Sequence, residues 1–258
     1  MQIVADAAAE VREEERRQAR IDLAAAHRLA VTHDFHEAID NHFTLNVPGR
    51  PGSFYLNAFG FHWSEVTASN LIEVSFEGEV LAGAGIPDRS AVCIHAPIHR
   101  LVPGAECVLH THMPYCTALS QLEDMTLEMT GQSALFFLDK IAYDREYRGF
   151  ADDVAEGERM AAVMGDKPIL MMANHGVVVT GKSVAQAYHR LYFLERAART
   201  QMFSMWTGQK RKFVSSAAVE KVRSQMGASD PQLKMSPADY YLTAMKRVLD
   251  AQGADYAA

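Results

Sequence analysis

Two histidines one residue apart, His110 and His112, close the apolar run Cys107-Val108-Leu109. Alternate residues of a strand point to the same face, so both imidazoles can converge on one ion. A third, His175, follows a second apolar run, Ile169-Leu170-Met171-Met172, and precedes Gly176, again the pattern of a strand end. Three neutral imidazoles with coordination positions left over suit a catalytic divalent cation better than a structural one. Such an ion is a Lewis acid that stabilises a developing enolate by on the order of several kcal/mol. Two reactions use that electron sink. Retro-aldol cleavage needs a base for the hydroxyl proton, whereas decarboxylation beside a carbonyl needs only an acid to reprotonate the carbanion. Asn174, next to His175, is a candidate to hold the imidazole's second nitrogen.

The elements that must position these side chains are legible in outline. Residues 10–33 carry apolar side chains at helical spacing among charges. Segments 38–47, 53–59 and 71–81 read as short strands, with Pro48-Gly49-Arg50-Pro51-Gly52 joining the first two and Glu77-Gly78 turning inside the third. A helix over 91–101, capped by Asp88 or Ser90, places His95 and His99 four apart on one face. After the His110/His112 strand, the pattern predicts a helix at 114–120, an apolar aromatic region at 130–143, a helix at 151–164 and a strand at 168–173. A hairpin through Asn174-His175-Gly176 then leads into 177–180, followed by a long helix at 184–206. Residues 215–252 read as helical but polar, a peripheral cover or a subunit contact. No repeat or linker divides the chain, so we expect one domain over 1–258, with 207–258 as a helical C-terminal extension.

Composition narrows the function classes. The 258 residues are 48% hydrophobic and 22% charged, an ordinary soluble balance. A net charge of -7 with no basic face argues against nucleic acid. No apolar run approaches the roughly 20 residues of a membrane span, and the N-terminus lacks a secretory core, so the expected location is the cytoplasm. Cys93, Cys107 and Cys116 fit no disulfide or zinc framework and read as reduced core thiols.

The chain resembles the class II aldolase/adducin family over roughly residues 20–210. The resemblance runs through Asn57-Ala58-Phe59-Gly60, Glu65-Val66-Thr67-Ala68-Ser69-Asn70-Leu71, Ile94-His95-Ala96-Pro97-Ile98-His99-Arg100, the His110/His112 pair, Asn174-His175-Gly176 and the segment from Glu195 to Gln201. It implies a three-layer α/β/α domain around a mainly antiparallel sheet and a divalent ion on His110, His112 and His175. Zinc is the first choice, with manganese, iron or cobalt as alternatives. It also implies a homotetramer with active sites between subunits.

Aligned on His95 and the histidine pair, the family's catalytic carboxylate should stand just after Ser90, where this chain has Ala91. The family's tyrosine acid is not evident either, and Asn41-His42-Phe43-Thr44 replaces its small phosphate loop. These departures point to the adducin-like side of the family. Losing a general base costs about 10²–10⁴-fold, so another residue must take the role: His42, His99, Tyr115 and Glu106 are the candidates. His95 and Asn174 read as groups that support the site. Arg100, Arg145 or Arg148 offer a fork for a substrate carboxylate. The expectation is a metal-dependent lyase cleaving a C–C bond in a small carbonyl or carboxylate metabolite, by aldol-type or decarboxylative chemistry. The alternatives are a non-catalytic adducin-like interaction module and an Fe(II) oxygenase.

Overall fold

The centre of the molecule is β5 (Cys107–Thr111), every residue of which is buried. A strand with helices on both faces is mostly apolar on both sides, which is why its first three residues, Cys107-Val108-Leu109, read as an unbroken apolar run. The computed structural model describes residues 2–226 and 231–258. Seven more strands join β5: β1 (His42–Asn46), β2 (Ser53–Asn57), β3 (Leu71–Ser75), β4 (Val80–Ala82), β6 (Ile141–Asp144), β7 (Ile169–Met172) and β8 (Gly176–Gly181). They form one sheet in the order β4-β3-β2-β1-β5-β8-β7-β6. Six of its pairings are antiparallel. The β6–β7 pair is parallel, because the chain returns through a crossover helix, α5 (Val154–Met164). The sheet is therefore mixed and mainly antiparallel.

Strand parity divides the core. Phe43, Leu45, Leu109, Val177 and Val179 pack on one face under α1 (Gln2–Thr32), α3 (Pro114–Ser120) and α6 (Val184–Trp206). Val108, Leu170, Met172 and Val178 face α2 (Arg89–Leu101) and α5. These are the three layers. His42, Thr44 and His110 share the second face, since Thr44 pairs with Val108 and His42 with His110. The α2–α5 packing is close: a Cβ on Gly157 would lie 2.0 Å from the Cys93 carbonyl oxygen.

Several boundaries shift for local reasons. The first strand starts at His42, not 38, because residues 37–40 make a tight turn with Ala38 at positive φ, and Asn41 just after it also adopts positive φ. Asp88 caps α2, accepting from the backbone N–H of Ser90 and Ala91, so the helix begins at Arg89. Asp153 caps α5 in the same way, so that helix starts at Val154 rather than at 151. The apolar region 130–143 resolves into a short helix, α4 (Gln132–Leu135), and the edge strand β6. The polar C-terminal stretch gives α7 (Ser216–Gln225) and α8 (Pro237–Ala251), with 227–230 outside the described residues. Leu242, Leu249 and Tyr256 are buried in the core that α1 and α6 share with the sheet, so α8 covers that layer.

Candidate active site

His110 is the penultimate residue of β5 and His112 lies just past the strand, while His175 occupies the turn between β7 and β8. Antiparallel pairing of Thr111 with Val177 brings the two strand ends together. Gly176 permits the approach, because a Cβ there would sit 2.8 Å from His112 Cδ2 and 2.6 Å from the Thr111 carbonyl oxygen. The ligand-capable nitrogens of His110, His112 and His175 all fall within 4.8 Å of one another.

Their surroundings set the tautomers. His110 Nδ1 lies 2.9 Å from the Val177 carbonyl oxygen, which can only accept, so Nδ1 carries the proton and Nε2 the lone pair. His112 Nδ1 lies 2.6 Å from Glu37 Oε2, which fixes the same tautomer. His112 Nε2 is then buried with no hydrogen-bond partner among the described residues. Buried polar atoms are ordinarily satisfied, and a cation is the partner that a bare imidazole lone pair suits. Burial pushes His175 down to about 4 and His110 well below its ordinary value, so both are neutral at pH 7. The trio fits a divalent ion in both geometry and donor chemistry.

A second histidine array stands beside the first. The His42 ring is 5.0 Å from that of His110, centroid to centroid. His42 Nδ1 lies 2.9 Å from His95 Nε2, and Thr44 Oγ1 lies 2.7 Å from His95 Nδ1 and 2.8 Å from His99 Nε2. His99 Nδ1 donates to the Ala105 carbonyl over 2.6 Å. At the other end, His42 Nε2 is 3.1 Å from Ser90 Oγ, which donates to Asp88 Oδ1 over 2.6 Å. The chain thus runs Asp88–Ser90–His42–His95–Thr44–His99–Ala105, with a pure acceptor at each end. It has six links, but Ser90, Thr44 and three neutral imidazoles bring only five protons. Burial holds His42 and His99 at about 4 and His95 well below its ordinary value, so the array is neutral and one link lacks its proton. Capturing one proton completes the chain.

A cavity of about 390 Å³ opens over both arrays, lined by His110, His112, His175, His42, Asn41, Asp88, Ser90 and Tyr147 among others. The Tyr147 ring is 6.4 Å from that of His175. Of the residues expected from sequence, His42 and Asn174 reach this cavity. His95 and His99 stand behind His42. Tyr115 instead packs against Phe203 and Arg199, and Arg100 pairs with Glu158 on the surface. Glu106 bonds Asn46, Arg148 pairs with Glu146, and Arg145 lies over Tyr143. Glu37, Asn41, Ser90 and Tyr147 were not foreseen as site residues. The only sequence signal for Glu37 was its place in a polar turn before the first strand.

Fold and site together define a protein of the aldolase-like α/β/α class. Residues 21–202 match the model of the Class II Aldolase and Adducin N-terminal domain, and the chain belongs to that family. It is 34% identical over 212 residues to a Caulobacter vibrioides protein described as of aldolase class 2, covering 81% of this chain and 82% of the relative. Alpha-adducin of Rattus norvegicus is 30% identical over 188 residues, which span 71% of this chain but 25% of adducin. An aldolase II superfamily protein from Pseudomonas syringae superposes with a TM-score of 0.86 at 32% identity, covering 94% of this chain and 96% of that one. The L-fuculose 1-phosphate aldolase of Glaciozyma antarctica shares the fold, with a TM-score of 0.81 at 23% identity over 95% and 94% of the two chains.

Proposed function

We propose that the chain is a divalent-metal-dependent lyase that cleaves a C–C bond in a small carbonyl metabolite by the aldol-type route. The ion would rest on His110, His112 and His175, with zinc the first choice, and would supply the Lewis acidity that polarises a substrate carbonyl oxygen. The observation that carries the reading is the proton-deficient histidine chain ending at His42 on the same cavity. It replaces the carboxylate missing at Ala91 and favours the aldol route, which needs a base, over decarboxylation, which does not.

In this reading His42 Nε2 takes the proton of the substrate hydroxyl as the C–C bond breaks. The bond's electron pair passes to the carbonyl side of the substrate. Burial opposes charge on His42, while the Asp88 carboxylate and the completed sixth link oppose that penalty. His95, Thr44 and His99 share the added proton away from the cavity. Tyr147, half-exposed beside His175, is positioned to return a proton to the carbanion. Asn174 lines the cavity beside His175.

The assembly in this proposal is a cytoplasmic homotetramer with sites at subunit boundaries. Supporting it are unpaired buried cysteines and Phe150, which is 93% exposed on the rim of the cavity. Elemental analysis should find one divalent ion per chain, and a panel of β-hydroxycarbonyl compounds should release an aldehyde. Protein that stays metal-free after incubation with zinc, with unchanged thermal stability on chelation, would instead favour an adducin-like interaction module. The 30% identity to alpha-adducin makes that module the competing reading.

A further inference from the structure

The charge on the cavity wall bears on what the cavity selects. Its described lining contains three carboxylates, Asp40, Asp88 and Asp152, and neither lysine nor arginine. The arginines nearby in sequence lie outside the lining: Arg89, exposed beside Asp88, bonds the Cys93 thiol, Arg148 pairs with Glu146, Arg159 with Asp144 and Glu156, and Arg145 lies over Tyr143. A phosphate dianion entering here would meet like charge with no fork to receive it.

A second feature marks the same wall as a binding surface for neutral oxygen atoms. Asn41 is 6% exposed and lines the cavity, and its Nδ2 is buried without a hydrogen-bond partner. Its Oδ1 accepts the backbone N–H of His112 at 3.0 Å, which fixes the amide so that Nδ2 is the donor left over. Buried donors without partners are rare. One on a cavity wall beside a metal-binding cluster calls for an acceptor oxygen on the ligand. The three carboxylates are acceptors only, and the recorded bonds of Asp88 all fall on Oδ1, so they call for ligand hydroxyls. The unpartnered Asn41 amide beside these carboxylates, with Asn174 and the Ser90 and Tyr147 hydroxyls on the same wall, matches a chain of hydroxyl groups next to a carbonyl.

We infer that the cavity takes an uncharged polyhydroxylated carbonyl compound, an unphosphorylated ketose or its close relative, and selects against the phosphate ester of the same skeleton. Asn41 donates to a ligand oxygen, Asp88 and Asp152 accept from hydroxyls, and the missing cations exclude the phosphate. The inference rests on the proposed lyase reading for the reaction, but not for the binding preference.

The test uses the full chain loaded with zinc. Isothermal titration is run with non-cleavable polyols of four to six carbons and with their terminal phosphate esters. Cleavage of the matching free ketoses and ketose phosphates is followed in parallel. The free compounds should bind, and be cleaved with kcat/KM, at least about tenfold better than their esters. In the double variant Asp88→Asn, Asp152→Asn the gap should shrink by about tenfold, as like charge is removed. Equal or better binding of the esters, an unchanged gap in the double variant, or binding of neither series would overturn the inference. Tight binding of free polyols without cleavage of any ketose would leave the binding preference standing and sink the lyase reading instead.

Discussion

Glu37 Oε2 lies 2.6 Å from His112 Nδ1, so a carboxylate from the turn before β1 holds an imidazole just beyond the end of β5. The bond fixes the tautomer that leaves His112 Nε2 bare toward the other two histidines. Carboxylates in this position orient a ligand ring and raise its basicity, and losing one typically costs about 10–100-fold in metal affinity. Glu37→Gln should therefore weaken zinc binding by about that factor while leaving thermal stability of the metal-free protein within about 1 kcal/mol. Competition against a chromophoric chelator measures the first, and thermal denaturation of the metal-free protein the second. Unchanged zinc affinity in the variant would remove Glu37 from the site.

His42→Asn should separate binding from chemistry. The variant keeps a polar side chain of similar reach but loses the imidazole that completes the proton chain. Turnover should fall about 10²–10⁴-fold, the usual worth of a general base, while metal stoichiometry stays at one. Steady-state kinetics and elemental analysis on the same preparation decide it. A fall of less than about fivefold would place the base elsewhere. His99→Gln, three links further from the cavity, should lower kcat by a smaller factor, with KM little changed.

Glu195 is a buried carboxylate, 5% exposed, that accepts the backbone N–H of Tyr115 at 2.7 Å and of Cys116 at 2.9 Å. These are first-turn donors of α3, the helix that follows His112, and they have no partner within the helix. Burial raises its pKa, and the two backbone bonds oppose that rise. Glu195→Ala should leave both N–H groups unsatisfied and cost about 2–6 kcal/mol of unfolding free energy, at roughly 1–3 kcal/mol per orphaned group. Urea denaturation checks it. Glu195→Gln retains an acceptor and should recover at least half of the loss.

The histidine trio was legible because it depends on strand parity and two apolar runs, both local properties. The order of its supports was not. Glu37 meets His112 across 75 residues from a turn with positive φ at Ala38 and, just after it, at Asn41, and no periodicity announces such a turn. His42 and His99 were visible as residue types, yet the chain between them passes through Thr44. Thr44 joins them only because β1 and β5 pair in the register that puts Thr44 opposite Val108. A slip of one residue would turn Thr44 to the other face. The sequence supplied periodicity but not register. The same limit explains Arg100 and Tyr115: both stand near the motifs in sequence, while their helices direct them toward Glu158 and toward Phe203. Edge strand β6 escaped notice because its four residues follow a short helix with no turn signal between them.

Acid should destabilise the metal-free protein well before carboxylates titrate. His27 is fully buried, its Nδ1 2.8 Å from the Leu23 carbonyl oxygen and its Nε2 3.2 Å from Asn57 Oδ1, and burial pushes it down to about 4. His99 is likewise pushed down to about 4 by burial. In the unfolded chain both return to about 6.5. Between those two values the unfolded state binds protons that the folded state refuses, so unfolding free energy must rise with pH. The stability these residues confer is thus intact above about 6.5 and lost progressively as pH falls toward 4. Tm should fall from pH 7 to pH 5. In His27→Gln, which retains amide contacts but cannot titrate, the drop should be smaller. A flat Tm between pH 7 and 5 would show that the fold takes up these protons as readily as the unfolded chain, and an equal drop in His27→Gln would remove His27 from the effect.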